Sequence, residues 1–240
     1  LTVDVGGCLL APIEPVARTY TRLADKHGFL DVTEESAKRA IRAGFNAPPP
    51  PGGVRYVGDG KSFWRPLIAA AMGGASLEDP RLEAVITELY EHYDEPSSWH
   101  VAHGAREAFA ALRRGGVKVA IISNWDTRLP SLLQRMGFDG ELLDAVITSA
   151  EECIEKPDRR IFDLTLERLG LAEVDGAGGG GGGGSVVHVG DSTVNDVEGA
   201  TAAGFGAALL WAPEMRAGNT FDFEELADEI LRSRGEEGLC

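Results

Sequence analysis

The residues best suited to chemistry fall in four short polar clusters at the ends of apolar runs. These are Asp4 in LTVDVGGCLL, SNWD at 123–126, EKPD at 155–158 and GDSTVND at 190–196. Brought together, they would assemble an aspartate, a serine, a lysine and the acidic pair Asp191 and Asp196, a mixed-charge site. Each residue alone has a plainer use. Asp126, Asp158 and Ser192 fit helix caps, Ser123 can simply end a strand, and Lys156 before Pro157 can be an ordinary loop lysine. Function therefore depends on elements that bring the four clusters to one edge.

The pattern supplies such elements. Apolar, β-rich runs recur at 1–5, 117–123, 142–148, 185–190 and 206–212, each followed by turn residues and a helical pattern near 103–114, 127–137, 159–169, 194–204 and 222–233. Strands alternating with helices predict an α/β fold, a Rossmann-like, doubly wound parallel sheet covered on both faces. A βα crossover needs only about 10–12 residues, yet the first two runs are separated by residues 6–116. That stretch reads as four helices, Glu14 to His27, Thr33 to Phe45, Ser62 to Met72 and Leu82 to Tyr93, broken at 46–53 and 73–80. The expected organisation is a core of residues 1–11 and 99–240 with a helical insertion at 12–98. An insertion at that place can act as a lid, because ligands of open α/β sheets bind beyond the carboxyl ends of the strands.

The glycine tract at 176–185 leads into a strand rather than a helix and lacks the Lys-Ser/Thr of a phosphate loop, so 175–185 reads as a flexible linker within the core. The prolines at 48–51 read as a stiff connector. A formal charge of −15 over 240 residues excludes a general basic field for nucleic acid but not a local site for a small phosphorylated ligand. No apolar run reaches the roughly 18 residues of a membrane span. Cys8, Cys153 and Cys240 fit neither a disulfide framework nor a zinc site, which implies a reducing, intracellular setting, cytoplasmic by default. Leu1 already lies inside a strand pattern, so upstream sequence, including any organelle-targeting peptide, is expected to have been removed.

The order and context of Asp4, Ser123, Lys156, Asp191 and Asp196 resemble the haloacid dehalogenase (HAD) superfamily, in its form with a helical cap between the first and second motifs. The resemblance covers nearly the whole chain and implies an HAD-like hydrolase, mostly a Mg²⁺-dependent phosphatase acting on small phosphorylated metabolites. By position it makes Asp4 the nucleophile that becomes an aspartyl phosphate. Ser123 and Asn124 would hold the phosphoryl group, and Lys156 would neutralise the charge between that group and Asp4. Mg²⁺ would be bound by Asp4, Asp191 and the Gly6 carbonyl, with Asp196 supporting from behind and Asn195 orienting its neighbours.

One position departs from the family pattern D-x-D-G-T: this chain reads D-V-G-G-C, so Gly6 stands where the second Asp protonates the leaving oxygen and Cys8 where the Thr stands. A general acid contributes about 10²–10⁴ in rate, so ordinary phosphomonoester hydrolysis is expected to be weak. Three readings follow. A group such as Arg55, Tyr56, Lys61 or Arg65, or a water, replaces the acid, or the substrate needs none. Alternatively the site is a pseudoenzyme that binds a ligand or a protein. In the third the chain is a 2-haloacid dehalogenase, which the retained Asp191 disfavours. His100 and His103 read as hinge or helix-start residues, His188 and Trp64 as packed core, and Cys8 as a small buried hydrophobe.

Overall fold

The structure, a computed structural model, describes residues 1–50, 53–171, 185–211 and 222–237, with the backbone alone for 235–237. In chain order the described residues form β1 (Thr2–Val3), β2 (Leu10–Pro12), α1 (Val16–Lys26), α2 (Glu34–Asn46), α3 (Lys61–Ala71), α4 (Pro80–Asp94) and β3 (Trp99–Val101). There follow α5 (Ala105–Arg114), β4 (Ala120–Ser123), α6 (Leu129–Arg135), β5 (Ala145–Thr148), α7 (Ser149–Glu152) and α8 (Arg159–Arg168). The chain then continues through β6 (Val187–Gly190), a π-helical stretch Thr193–Glu198 running into α9 (Gly199–Ala202), β7 (Ala207–Leu210) and α10 (Phe223–Glu237).

Every β-rich run of the sequence becomes a strand of one parallel sheet, ordered β5-β4-β1-β6-β7. The chain winds outward from β1 to β4 and β5, then returns to β6 on the other side of β1. That reversal beside β1 leaves a crevice at the carboxyl edge. Val3 pairs with both Ile121 and Val189. Alternation along the strands divides the core in two. Val3, Ile121 and Val189 pack with Phe109 of α5, Leu132 of α6 and Phe223 of α10, whereas Ile122 and Ile147 pack with Ile161 and Phe162 of α8 and Ala200 of α9. The buried residues of α5, namely Ala105, Ala108, Phe109 and Leu112, follow the helical repeat.

The four helices expected between residues 12 and 98 are present and bury an apolar cluster of their own, with Tyr20 and Leu23 of α1 against Leu82, Val85 and Leu89 of α4. Their starts follow local chemistry. Thr33 Oγ1 accepts from Ser36 N (3.1 Å) while Ser36 Oγ accepts from Thr33 N (2.9 Å), opening α2. Asp79 accepts from Arg81 N (2.9 Å) ahead of Pro80, opening α4. Caps of this kind stabilise by about 1 kcal/mol each.

One element has no counterpart in the sequence reading. The chain leaves the sheet region through β2 and returns through β3, and these pair antiparallel as Leu10 with Val101, Ala11 with His100 and Pro12 with Trp99. His100 therefore lies in this ribbon, and His103 lies exposed just ahead of α5. The glycine tract, apart from Ser185, and Pro51 lie outside the described residues. Among the described residues no helix is long and apolar enough to cross a membrane.

Candidate active site

The backbone N–H of Asp4, the residue after β1, donates to Val189 O (2.8 Å), which fixes Asp4 at the carboxyl edge of the central strand. Its Oδ1 accepts from Ser123 Oγ (3.0 Å), at the end of β4, and from Lys156 Nζ (2.7 Å). Lys156 is buried and also donates to Ile122 O (2.8 Å) and to Asp196 Oδ1 (2.5 Å), so all three ammonium protons are used. Burial alone would lower the lysine pKa, but Asp4 and Asp196 hold it above its ordinary value. The loop that carries Lys156 is clamped by Asn124, whose Nδ2 donates to Lys156 O (2.9 Å) and whose Oδ1 accepts from Lys156 N (2.8 Å). Asn124, expected at the substrate, thus has its amide on backbone and lines the cavity beside Ser123.

The third group of charges comes from the turn after β6. Carboxylate oxygens of Asp4, Asp191 and Asp196 lie within 4.8 Å of one another. Asp196 is already engaged: besides Lys156, its Oδ1 meets His188 Nε2 (3.1 Å) and its Oδ2 accepts from Ser192 N (2.9 Å). Burial pushes its carboxyl up, but the His188 bond and the Lys156 charge together hold it well below the usual carboxylate range. Asp191 has no such support. Desolvation first, then the charges of Asp4 and Asp196, push its pKa up to about 6. An all-oxygen, anionic set with one carboxylate short of countercharge suits a hard cation such as Mg²⁺, with Asp4, Asp191 and the Gly6 carbonyl as candidate ligands. Two glycines make room. A Cβ at Gly7, whose φ of +78° already favours glycine, would collide with the Asp191 carboxylate, and one at Gly190 would overlap that of Asp196.

His188, read from the sequence as packing, turns out to belong to this network. It is fully buried, with Phe162 and Phe205 edge-on to its ring, and burial lowers its pKa. A carboxylate can only accept, so the neutral ring carries its proton on Nε2 towards Asp196, and Nδ1 (2.9 Å) accepts from the Thr2 hydroxyl. The available signal was a single titratable residue inside the apolar run VVHVG. Ser192 and Asp158 do cap, accepting from Asn195 N (3.1 Å) and Arg160 N (2.9 Å). Asp126 does more than cap: it is buried, forms an ion pair with Arg128 (2.8 Å) and accepts from Trp64 Nε1 (3.4 Å).

Above Asp4 opens a cavity of about 770 Å³ between the sheet edge and the four helices. Of the groups considered as substitutes for the missing acid, Arg55 and Tyr56 line it, whereas Lys61 pairs with Asp59 and Arg65 with Glu83 on the surface. Asn195 lines the cavity as well, and so does Trp64, which reaches it while packing on Phe45 and Phe63. Cys8 is buried, and burial with the Asp4 charge raises its thiol pKa, in keeping with its reading as a small hydrophobe.

A parallel sheet of this order with an aspartate-lysine-aspartate cluster at its carboxyl edge defines a class, and the haloacid dehalogenase-like hydrolase family profile matches residues 1–204. The chain belongs to that family of hydrolases. It is 34% identical over 218 residues to haloacid dehalogenase-like hydrolase domain-containing protein 3 of Bos taurus, covering 89% of this chain and 82% of that one. Its fold superposes on an HAD phosphatase from Thermococcus onnurineus with a TM-score of 0.58 at 23% identity, over 91% of this chain and 87% of the other. It superposes on a 2-haloacid dehalogenase from Pseudomonas syringae pv. Tomato DC3000 with a TM-score of 0.61 at 17% identity, over 97% of each chain. Both likenesses are of fold alone, and the fold accommodates either chemistry. The reaction has to be argued from the side chains.

Proposed function

We propose that this chain is a Mg²⁺-dependent phosphatase working through an aspartyl phosphate on Asp4, with weak turnover of ordinary alkyl esters because position 6 carries no acid. Residues 1–11 and 99–240 carry the chemistry, and residues 12–98 act as a cap. The supporting observation is the arrangement around Asp4. Its Oδ1 is held by Ser123 and Lys156, and among the described residues its Oδ2 accepts no hydrogen bond, leaving that oxygen free to attack phosphorus.

Lys156 supplies a fixed positive charge where phosphoryl oxygens gather, and Ser123 offers its hydroxyl at the same place. Asp196 and His188 hold Lys156 in position, and Asn124 fixes its loop. Bound Mg²⁺, held by Asp4, Asp191 and the Gly6 carbonyl, would supply countercharge to the phosphoryl group and relieve the crowding of carboxylates. A dehalogenase needs neither that countercharge nor Asp191, so the retained acid favours phosphoryl transfer over halide release. The substrate is a small phosphorylated molecule. Free thiols at Cys8 and at exposed Cys153 suit a reducing compartment.

The test is release of inorganic phosphate from acetyl phosphate, whose leaving group needs no acid, with and without Mg²⁺. Expected are Mg²⁺-dependent release and its abolition in Asp4→Asn. Measurable Mg²⁺ binding with no turnover of any phosphate would make the protein a binding module. Halide released from 2-haloacids without metal would make it a dehalogenase.

A further inference from the structure

The walls of the cavity and the empty place at position 6 bear on one question: what leaves when phosphorus is attacked. The walls are aromatic. Of the four tryptophans in the chain, Trp64, Trp99 and Trp125 line the cavity, joined by Tyr20 and Tyr56. The Trp125 ring stands 3.6 Å from where a Cβ at Gly6 would sit, so an aromatic face flanks the spot from which an acid would act. Trp125 packs in turn on Trp99, with ring centroids 5.4 Å apart.

Several polar groups of the same walls are already engaged, although the buried Tyr93 hydroxyl, which also lines the cavity, has no hydrogen-bond partner among the described residues. Asn124 holds the Lys156 backbone. Glu155 accepts from Arg55 N (2.7 Å), and Arg55 directs its guanidinium to Phe45 O (2.6 Å). Asp126 is held by Arg128. A polyol such as a sugar would meet mainly ring surface and groups already bonded, leaving most of its hydroxyls without partners, which is costly. A planar ring would meet ring faces and edges, an arrangement aromatic pairs favour. The leaving oxygen meets the same selection. The tyrosines of the walls are poor proton donors, since burial raises the pKa of Tyr20, Tyr56, Tyr90 and Tyr93. Without a donor the oxygen departs as an anion. That is feasible for a phenol, with a pKa of about 10, and far slower for an alcohol near the value of water, about 16.

Building on the aspartyl-phosphate reading above, we propose that the site hydrolyses phosphate monoesters of phenols, binding the aromatic ring among Tyr56, Trp64, Trp99 and Trp125 and releasing it as the phenolate. In the first step an Asp4 carboxylate oxygen bonds to phosphorus, and the phosphorus–aryl oxygen bond breaks with its electron pair on the aryloxide, which takes a proton from water. In the second, water attacks phosphorus, the bond to Asp4 breaks, and phosphate leaves. The sum is ester plus water giving phenol plus phosphate.

Two measurements on the wild-type protein with Mg²⁺ test this. The first is kcat/KM for phenyl phosphate, acetyl phosphate and glycerol phosphate; the expected order places phenyl phosphate about 10² or more above glycerol phosphate, the range an absent acid accounts for, with a KM below that of acetyl phosphate. The second is tryptophan fluorescence titrated with phenylphosphonate and methylphosphonate, which do not turn over; the phenyl compound should bind about tenfold tighter or more and perturb the emission. Hydrolysis of acetyl phosphate with phenyl phosphate no better than glycerol phosphate, or equal affinity for the two phosphonates, overturns the aryl assignment and leaves the aspartyl-phosphate reading standing. Failure to release phosphate from any of the three overturns both.

Discussion

The floor and the roof of the cavity are built on opposite plans. On the floor, Lys156, Asp4, Asp196, His188 and Thr2 form a continuous buried network in which every ammonium proton and both imidazole nitrogens have partners. The roof is a set of rings from α1, α3 and the segment around Tyr56, tied to the sheet side by separate polar contacts that share no buried charge network, among them Trp64 to Asp126, Thr127 N to Gly58 O (3.0 Å), Arg55 N to Glu155 (2.7 Å) and Arg128 to Tyr90 O (3.3 Å). A buried charge network tolerates no vacancy, because removing one member leaves the others charged and unpaired. An apolar wall can lose a ring and still exclude water. Under the function proposed above, the difference separates two jobs: the floor would fix the reaction, and the roof would select what is brought to it.

The sharpest way to break this contrast is Lys156→Met. It strands two buried carboxylates and should lower unfolding stability by about 3–5 kcal/mol and abolish phosphate release, as read from urea midpoints and turnover. In the roof, Trp64→Ala should leave the urea midpoint nearer to wild type and act mainly on KM. Should the two shift stability alike, the floor is no more tightly bound than the roof. Next in size is Gly6→Asp. A side chain there makes only ordinary contact with Trp125, and the acid should raise kcat for glycerol phosphate by about 10²–10⁴, with a smaller gain for phenyl phosphate.

Gly7→Ala tests the spacing of the floor. Its Cβ displaces Asp191, and Mg²⁺ affinity measured by calorimetry should fall about 10–100-fold. A pH series probes the carboxylate of Asp191. Asp191 has its folded pKa raised from 3.8 to about 6, so between those values the metal-free fold retains a proton that the unfolded chain has released. Stability therefore falls as pH rises through that window. Asp191→Asn should flatten the fall and raise the metal-free Tm at pH 7, while Mg²⁺ binding to the wild type should weaken below about pH 6. The smallest effect lies outside both regions. Cys153 closes α7 at a φ of +53°, and Cys153→Gly should stabilise by about 1 kcal/mol, visible as a small rise in Tm.

The floor was legible in the sequence and the roof was not, for a physical reason. Asp4, Ser123, Lys156, Asp191 and Asp196 each stand just beyond or at the end of a β-rich run or in a turn before a helix, and a parallel sheet necessarily gathers such positions at one edge. Among the described residues pattern also found the strands of the parallel sheet and the helices other than α7, with ends displaced by a few residues. It did not assign His188 a partner, because alternation places a side chain on a face without saying which charge waits there. Trp64 has the same spacing whether it fills a core or lines a cavity, and here it does both. β2 and β3 are too short for a periodicity to register, and the π-helical stretch after β6 is indistinguishable in sequence from an ordinary helix start.

The ribbon of β2 and β3 has one further consequence. Trp99 owes its place in the wall to its pairing with Pro12, and in a paired strand neighbouring residues face opposite ways. Inserting a single residue into β3 after His100, with Val101 held in place, would therefore put imidazole where the indole stands at the chamber wall without touching any helix. The pairing of two three-residue strands thus sets which side chain lines the wall, and under the proposed function a change in the length of β3 would retune selectivity while the floor stays intact.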